Sequence, residues 1–213
     1  SLNIEKYDEW KDDPDMISDV MRFLDNVLSD FINKAPDQFK DAKYSAERER
    51  SVGLGVMGFH SFLQKKRIPL ESVMAKSWNK KIFKQIDEQV NKASKDLAEE
   101  RGACPDAAEY GYQERFSNKT AIAPTASISI ICGGASPGVE PIAANSYTHK
   151  TLSGSFNVRN RYLEEILESH GKNDDETWST ITTNQGSVSH LDFLTDLEKD
   201  VFKTAFELNQ NWI

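Results

Sequence analysis

The chain has 213 residues, with 34 acidic and 26 basic side chains and a formal net charge of −8. Because nucleic-acid and anionic-membrane surfaces need a basic stripe, this charge argues against both kinds of partner. The chain has only two cysteines and no long apolar run, which excludes a disulfide scaffold, a cysteine-rich zinc site and a membrane span. The start of the chain, Ser1–Glu5, does not resemble a signal peptide, so we expect a cytoplasmic protein.

Two long helices are predicted in the first half of the chain. Apolar residues recur at three- and four-residue steps after Asp12–Asp15, which predicts an amphipathic helix ending near Lys34. A second helix is predicted from Leu70 to Arg101, with Gly102 as its C-terminal cap. Leu2–Ile4 is predicted to be the end of a strand.

The second half of the chain is predicted to be less regular. The pattern first predicts a polar loop over residues 103–118 and a buried strand at Thr120–Ala123. A turn at Pro124–Ser127 and a helix start at Ile128–Cys132 follow, and then an irregular loop at 135–155. The last predicted elements are helices at Arg159–Ser169 and from Thr195 to the end. The chain ends at Trp212–Ile213 inside that last helical pattern, which indicates a truncated sequence.

A glycine-rich segment, Gly53-Leu-Gly-Val-Met-Gly58, has the spacing of a dinucleotide-binding turn. Its context does not fit, because the charged residues 46–51 precede it where a buried strand is required. We therefore interpret it as part of a helix running to about Lys66, whose glycines permit close backbone packing.

The segment Asn118–Pro141 carries the most chemical information. A short strand followed by a Pro-Thr-Ala-Ser turn and a helix start aims backbone N–H groups outward, which suits a phosphate group. Thr125 and Ser127 would donate hydroxyls, and Ala126 would keep the approach open. The pattern alone favours the simpler alternative, in which Thr125 or Ser127 only caps the helix.

The remaining candidate residues favour structural roles. The four histidines lack metal-ligand spacing, so no metal site is predicted. Cys104 and Cys132 lack basic neighbours and are predicted to be small buried residues. Glu140 is expected to form a local salt bridge rather than act as a site carboxylate, and Asn173–Glu176 is expected to be a solvated acidic loop.

Five motifs in order resemble the catalytic large subunit of class I ribonucleotide reductase, over nearly the whole chain. They are Arg50–Gly58, Glu100–Pro105, Ala123–Ser129, Gly138–Pro141 and Thr151–Phe156. The resemblance implies an α/β fold: a mostly helical segment from the C-terminal half of the subunit, forming one partial domain over residues 1–213 of an incomplete ten-stranded α/β barrel. It also implies that the glycine-rich segment packs within that barrel.

The resemblance assigns substrate binding to one turn. In the family, this turn binds the diphosphate of a ribonucleoside diphosphate, and here it matches Pro124, Thr125, Ala126, Ser127 and Ile128. The resemblance thus favours the phosphate cradle over the simple cap. Ile128 stands where some relatives carry a hydroxyl, so its contact would be through the backbone only. Ser129 offers a further hydroxyl nearby.

The resemblance places the redox machinery outside this chain. The family removes the 2′-hydroxyl through a thiyl radical on a cysteine that neither Cys104 nor Cys132 matches, so no catalytic residue is expected here. It implies no cofactor in this chain, a radical supplied by the small subunit, and reducing equivalents from thioredoxin or glutaredoxin. The implied partners are the remainder of the large subunit, the small subunit, the substrate and a second copy of the complete subunit.

Three interpretations follow for the chain as given. It is a cut segment of the enzyme, a split-gene product that assembles with a second polypeptide, or a non-catalytic binding and assembly module that retains the fold. All three predict that the isolated chain has no reductase activity, and the intact Pro-Thr-Ala-Ser turn favours the first two.

Overall fold

The computed structural model describes residues 1–151 and 154–212. These residues are mostly helical, as predicted, and divide into two compact units. The first unit contains residues 1–2, 6–55 and 79–123, and the second contains residues 3–5, 56–78 and the chain from residue 124 onward. The single partial domain over residues 1–213 stays a prediction.

The elements of the described chain are short, apart from two helices. The helices are α1 (Tyr7–Trp10), α2 (Met16–Lys34), α3 (Lys40–Glu49), α4 (Phe59–Lys65), α5 (Val73–Arg101), α6 (Pro105–Glu109), α7 (Ala126–Ile131), α8 (Arg161–Ser169), α9 (Asp175–Thr183) and α10 (Asp196–Val201). The strands are β1 (Leu2–Asn3), β2 (Val56–Met57), β3 (Ser146–Thr151) and β4 (Gly154–Arg159). Short 3₁₀ turns cover Ile4–Lys6, Asp37–Phe39 and Gln210–Trp212.

The predictions of the two long helices are confirmed. The helix predicted to end near Lys34 is α2, and the helix predicted to end at Arg101 is α5. Gly102 has a φ of +89°, and its N–H donates to the carbonyl of Ala98 at 2.9 Å, as expected of a C-terminal cap. Not every apolar side chain of α2 lies on its buried face: Met21 is buried, whereas Phe23 and Val27 are exposed.

The glycine-rich segment is not helical before residue 59, so the prediction of a helix across it is wrong. Leu54 forms a parallel bridge with Thr120, and a Cβ on Gly53 would lie 2.9 Å from the Cβ of Ala121. The glycines do permit close backbone packing, but against an extended segment. The predicted strand at Thr120–Ala123 is reduced to that one bridge at Thr120.

Four helices of the described chain were not predicted, the first of which is the short α1. Lys40–Glu49 forms α3, residues 105–109 of the predicted loop form α6, and the supposed acidic loop at 173–176 leads into α9. The Asp174 carboxylate accepts a hydrogen bond from the N–H of Thr177 at 2.7 Å. The acidic run therefore caps a helix, rather than being only a solvated loop.

The C-terminal part of the second unit packs around one apolar cluster. It consists of Tyr162, Leu163, Leu167, Trp178, Ile181, Val188, Leu191, Leu194, Val201 and Phe202. The helix predicted at Arg159–Ser169 is confirmed as α8, which begins at Arg161. The helix predicted from Thr195 to the end is wrong beyond Val201, where α10 ends.

The region predicted as an irregular loop contains a hairpin. Strands β3 and β4 pair antiparallel with Ser146 opposite Arg159, and Tyr147 opposite Val158. The prediction of irregular structure is therefore wrong for Ser146–Thr151 and for residues 154–155, while Leu152 and Ser153 lie outside the described residues. The described strands do not by themselves form a closed barrel.

A buried ion cluster lies in the first unit. The Asp25 carboxylate is fully buried and accepts hydrogen bonds from the guanidinium groups of Arg50, Arg101 and Arg115. Burial alone would raise the pKa of Asp25, but the hydrogen bonds from Arg115, Arg101 and Arg50 hold it below its usual value.

Candidate functional site

The Pro-Thr-Ala-Ser turn leads directly into α7. Thr125 occupies the N-cap position in the left-handed conformation, with φ +47° and ψ 28°, and it is buried. Its side chain makes no capping hydrogen bond to α7. Instead, Thr125 Oγ1 accepts a hydrogen bond from the N–H of Gly138 at 2.7 Å. The simple helix cap, the alternative favoured by the sequence pattern, is therefore wrong for Thr125.

The other predicted site residues are more exposed than Thr125. Pro124, Ala126 and Ser127 are exposed, and the Ile128 side chain is 50% exposed. Ser129 is buried, and its hydroxyl donates to the carbonyl of Ala126 at 3.2 Å. The hydroxyl of Ser127 therefore remains available to a ligand, while that of Ser129 is engaged within the helix.

A cavity of about 640 Å³ in the second unit adjoins α7. Of the five predicted substrate-binding residues, Ala126 lines this cavity. Ser129 and Ile130 of α7 line it as well, and the rest of its wall comes from α4, the segment 133–137, and residues around the hairpin, including Asn145 and Asn160. The cavity thus lies beside α7 without being the turn itself.

A network of amide side chains, of which Gln64 and Asn145 are buried and Asn160 is half-buried, supports the cavity wall. Asn160 Nδ2 donates to Gln64 Oε1 at 3.0 Å and to Asn145 Oδ1 at 2.8 Å. Asn145 Nδ2 in turn donates to the carbonyls of Gly186 and Phe202. Sequence reasoning missed this network, although Asn160 before the apolar pattern of α8 carries a readable N-cap signal.

The segment that holds Gly138 is fixed to the N-terminal end of α4. Ser136 Oγ accepts from the N–H of Ser61 at 3.1 Å, and Ser61 Oγ accepts from the N–H of Ser136 at 2.8 Å. The carbonyl of Ser136 also accepts from the N–H of Gly58 at 2.7 Å. Both serines are buried, so these hydrogen bonds are shielded from water.

The histidine beside Ser61 is fully enclosed. Burial lowers the pKa of His60 to about 4, and its Nδ1 accepts a hydrogen bond from the N–H of Ile142 at 3.0 Å. His60 is therefore neutral at pH 7 and acts as a structural acceptor.

The other candidate residues do not converge on one place. Cys104 is buried as predicted, but Cys132 is exposed, so its predicted burial is wrong. Glu140 is exposed and forms no ion pair with the described residues, contrary to the predicted salt bridge. No group of three or more His, Cys, Asp or Glu side chains in residues 1–151 and 154–212 could hold a metal ion.

The family of the chain follows from comparison with known proteins. The family model described as the ribonucleotide reductase barrel domain matches residues 1–115 and 106–213. The chain belongs to the ribonucleotide reductase family. It corresponds to a segment of the large subunit, as the five motifs predict, although Leu152 and Ser153 of the last motif lie outside the described residues.

Relatives of this reductase segment come from viruses and prokaryotes. It is 49% identical over 217 residues to a ribonucleoside-diphosphate reductase large subunit of Invertebrate iridescent virus 6, covering all of this chain and 22% of that protein. It is 34% identical over 224 residues to a vitamin B12-dependent ribonucleoside-diphosphate reductase of Thermoplasma acidophilum, again covering all of this chain and 28% of that protein.

A solved structure shares the fold of the reductase segment. The class Id ribonucleotide reductase alpha subunit of Actinobacillus ureae aligns with a TM-score of 0.86 at 40% identity, over 96% of this chain and 37% of that one. The segment spans 22% to 38% of the length of three viral relatives. No helix among the described residues is long and apolar enough to cross a membrane.

Proposed function

We propose that this segment supplies the diphosphate-binding turn of a large subunit that reduces ribonucleoside diphosphates. The turn comprises Pro124, Thr125, Ala126, Ser127 and Ile128. Within the complete subunit, the segment would complete part of the ten-stranded α/β barrel and hold the substrate by its diphosphate.

The observation that carries the proposal is the N-terminus of α7, which lacks a side-chain cap. The first N–H groups of a helix have no partner within that helix. Elsewhere in the second unit, Asn160, Asp174 and Thr195 cap α8, α9 and α10 with their side chains. In α7, the N-cap hydroxyl is turned to Gly138 instead, which leaves the first N–H groups to an anion.

The four residues after Pro124 have distinct parts in binding the diphosphate. Thr125 Oγ1 accepts from Gly138 and keeps its own proton for donation to a phosphate oxygen. The exposed Ser127 hydroxyl is a second donor, and the small Ala126 side chain leaves room for the phosphate. Ile128 contributes its backbone N–H, because its side chain has no donor.

Holding the diphosphate positions the ribose for the reaction. A thiyl radical generated through the small subunit would drive removal of the 2′-hydroxyl in the remainder of the subunit, and thioredoxin or glutaredoxin would supply the two reducing equivalents that each turnover consumes. The turn would act by orienting the substrate and by neutralising the charge of the diphosphate with N–H dipoles. We expect the complete subunit to act in the cytoplasm as a homodimer together with the small subunit, and the isolated chain to be inactive.

The range of relatives supports a role in substrate binding rather than in radical generation. The segment matches reductases named vitamin B12-dependent as well as large subunits without that name. A segment shared between them is better suited to the step that they have in common, which is binding of the ribonucleoside diphosphate.

The test is the kinetics of CDP reduction by the complete large subunit assembled with its small subunit. Loss of a hydrogen bond to a charged group costs about 1.5–3 kcal/mol, so Ser127→Ala is expected to raise KM roughly 10- to 150-fold. Thr125→Ala is expected to raise KM as well. Ser179→Ala, an exposed serine on α9, is the control. Unchanged kinetic constants in the Thr125→Ala/Ser127→Ala double variant would contradict the proposal.

A further inference from the structure

The last glycine of the glycine-rich segment cannot be replaced by a capping residue. Gly58 is the N-cap residue of α4 and has a φ of +80°. A Cβ at this position would lie 2.8 Å from Asn3 Oδ1 and 3.1 Å from the backbone nitrogen of Glu5. A serine, threonine or aspartate at position 58 would therefore be strained and would collide with its neighbours. Helix α4 needs a cap from elsewhere.

Ser136 provides that cap from a distant part of the chain. Its Oγ accepts from the N–H of Ser61, which is the third residue of α4, the position that an N-cap side chain normally serves. In turn, Ser61 Oγ accepts a hydrogen bond from the N–H of Ser136. The pair reproduces the reciprocal bonding of a capping box between two separate segments.

This reciprocal pair is two residues from the contact that holds the substrate turn. Ser136 fixes the backbone that continues to Gly138, and the N–H of Gly138 holds Thr125 through its hydroxyl. Ser136, Gly138 and Thr125 are all buried, so water does not compete for these bonds. A shift of the segment at Ser136 would move the N–H of Gly138 away from Thr125, whose left-handed backbone needs support from its surroundings.

We propose that Ser61 and Ser136 are positioning residues for the diphosphate turn. They act through Gly138 and Thr125 and do not touch the substrate themselves. This inference rests on the proposed function of the turn, because its measured consequence is weaker binding of the ribonucleoside diphosphate.

The test compares Ser61→Ala and Ser136→Ala in the complete subunit with its small subunit, using CDP as substrate. Both variants are expected to raise KM about three- to tenfold and to leave kcat within about twofold, because positioning is impaired while the binding groups remain. The Ser61→Ala/Ser136→Ala double variant is expected to match the larger single effect, since the two residues act as one unit. Alanine favours helix at position 61, so Ser61→Ala keeps the test valid if Ser136→Ala does not fold.

The matched control is Thr195→Ala, which removes the capping box of α10 elsewhere in the second unit. It is expected to lower the thermal midpoint as much as Ser136→Ala does, without changing KM. The positioning role would be overturned if both serine variants had a KM within twofold of that control while Ser127→Ala still had a raised KM. That result would leave the proposed function of the turn standing. Unchanged KM in Ser127→Ala as well would overturn the proposed function, and this inference with it.

Discussion

Arg50 Nη2 lies 2.7 Å from Asp25 Oδ1, and both side chains are buried. Arg101 and Arg115 approach the same carboxylate at 2.8 and 2.9 Å. One carboxylate therefore balances part of the charge of three guanidinium groups, and it joins α2, the end of α3 and the end of α5 through side chains. All three contacts therefore involve the single negative charge of Asp25.

Loss of that charge is expected to destabilise the first unit. Asp25→Asn leaves buried guanidinium groups without a counter-ion, and breaking a buried ion pair from one side costs about 3–5 kcal/mol. The measurement is the free energy of opening of α2 amides, from hydrogen exchange in the complete subunit. Asp96→Asn, in an exposed pair with Lys92, is the control and is expected to have little effect. Equal protection in the two variants would contradict the prediction.

Acid is expected to destabilise the second unit through His60. Its pKa is lowered to about 4 by burial, whereas an unfolded histidine titrates near 6.5. Between these values the unfolded state binds a proton that the folded state does not, so stability is full above about pH 6.5 and falls towards pH 4. The loss can reach about 3 kcal/mol.

His60→Asn is the variant that checks the pH dependence. Asparagine offers an acceptor to the N–H of Ile142 but does not titrate, so the decline between pH 6.5 and 4 should become shallower. Thermal midpoints across this range, measured for the complete subunit and the variant, provide the comparison. Parallel pH profiles would exclude His60 as the titrating group.

Gly58→Ala is expected to destabilise the second unit more than Gly171→Ala. Both glycines have a positive φ, +80° and +65°, so each alanine carries the cost of the left-handed conformation, about 1–2 kcal/mol. A Cβ at Gly58 also collides with Asn3 and Glu5, whereas one at Gly171 meets nothing within 4 Å. Urea unfolding of both variants separates the cost of the left-handed conformation from the cost of the collision. Equal midpoints would show that Asn3 and Glu5 move to accommodate the Cβ, which would contradict the prediction.

Asn160→Asp is expected to disrupt the cavity wall while keeping the helix cap. The variant retains an oxygen for the N–H of Tyr162 but loses the amide donor to Gln64 and Asn145. A carboxylate would then face two acceptor oxygens, so we expect a loss of about 1–3 kcal/mol or more. Asp174→Asn, the inverse change at the cap of α9, is the control for the cap itself. Equal thermal midpoints for the two variants would contradict the prediction.

The periodicity of apolar residues is sufficient to predict α2 and α5, because each helix buries one face along its length. It failed after Val201, where apolar residues continue at helical spacing but the chain turns. There Thr204 N–H and Oγ1 both bind the Glu207 carboxylate, at 2.8 and 2.9 Å, and Leu208 is buried without a helix. A side chain that competes for the backbone in this way is not visible in the apolar pattern.

The turn proposed to bind the diphosphate has a local sequence signal, in consecutive residues from Pro124 to Ile128, and its binding role stays a prediction. What surrounds it could not be predicted. The bond from Gly138 to Thr125 and the serine pair join residues 13 and 75 positions apart. Single-sequence patterns carry no information about such pairs, so the alternative of a simple cap could be rejected only from the structure.

The distance between Ser61 and Ser136 along the chain also affects the timing of biosynthesis. At about 5–20 residues per second, a ribosome needs roughly 4–15 s to add the 75 residues between them. During that interval the seven-residue α4 has no cap, and so short a helix is not stable by itself. We therefore expect helix α4 to become ordered only after the segment carrying Ser136 has left the ribosome, at the stage when Thr125 also gains its partner.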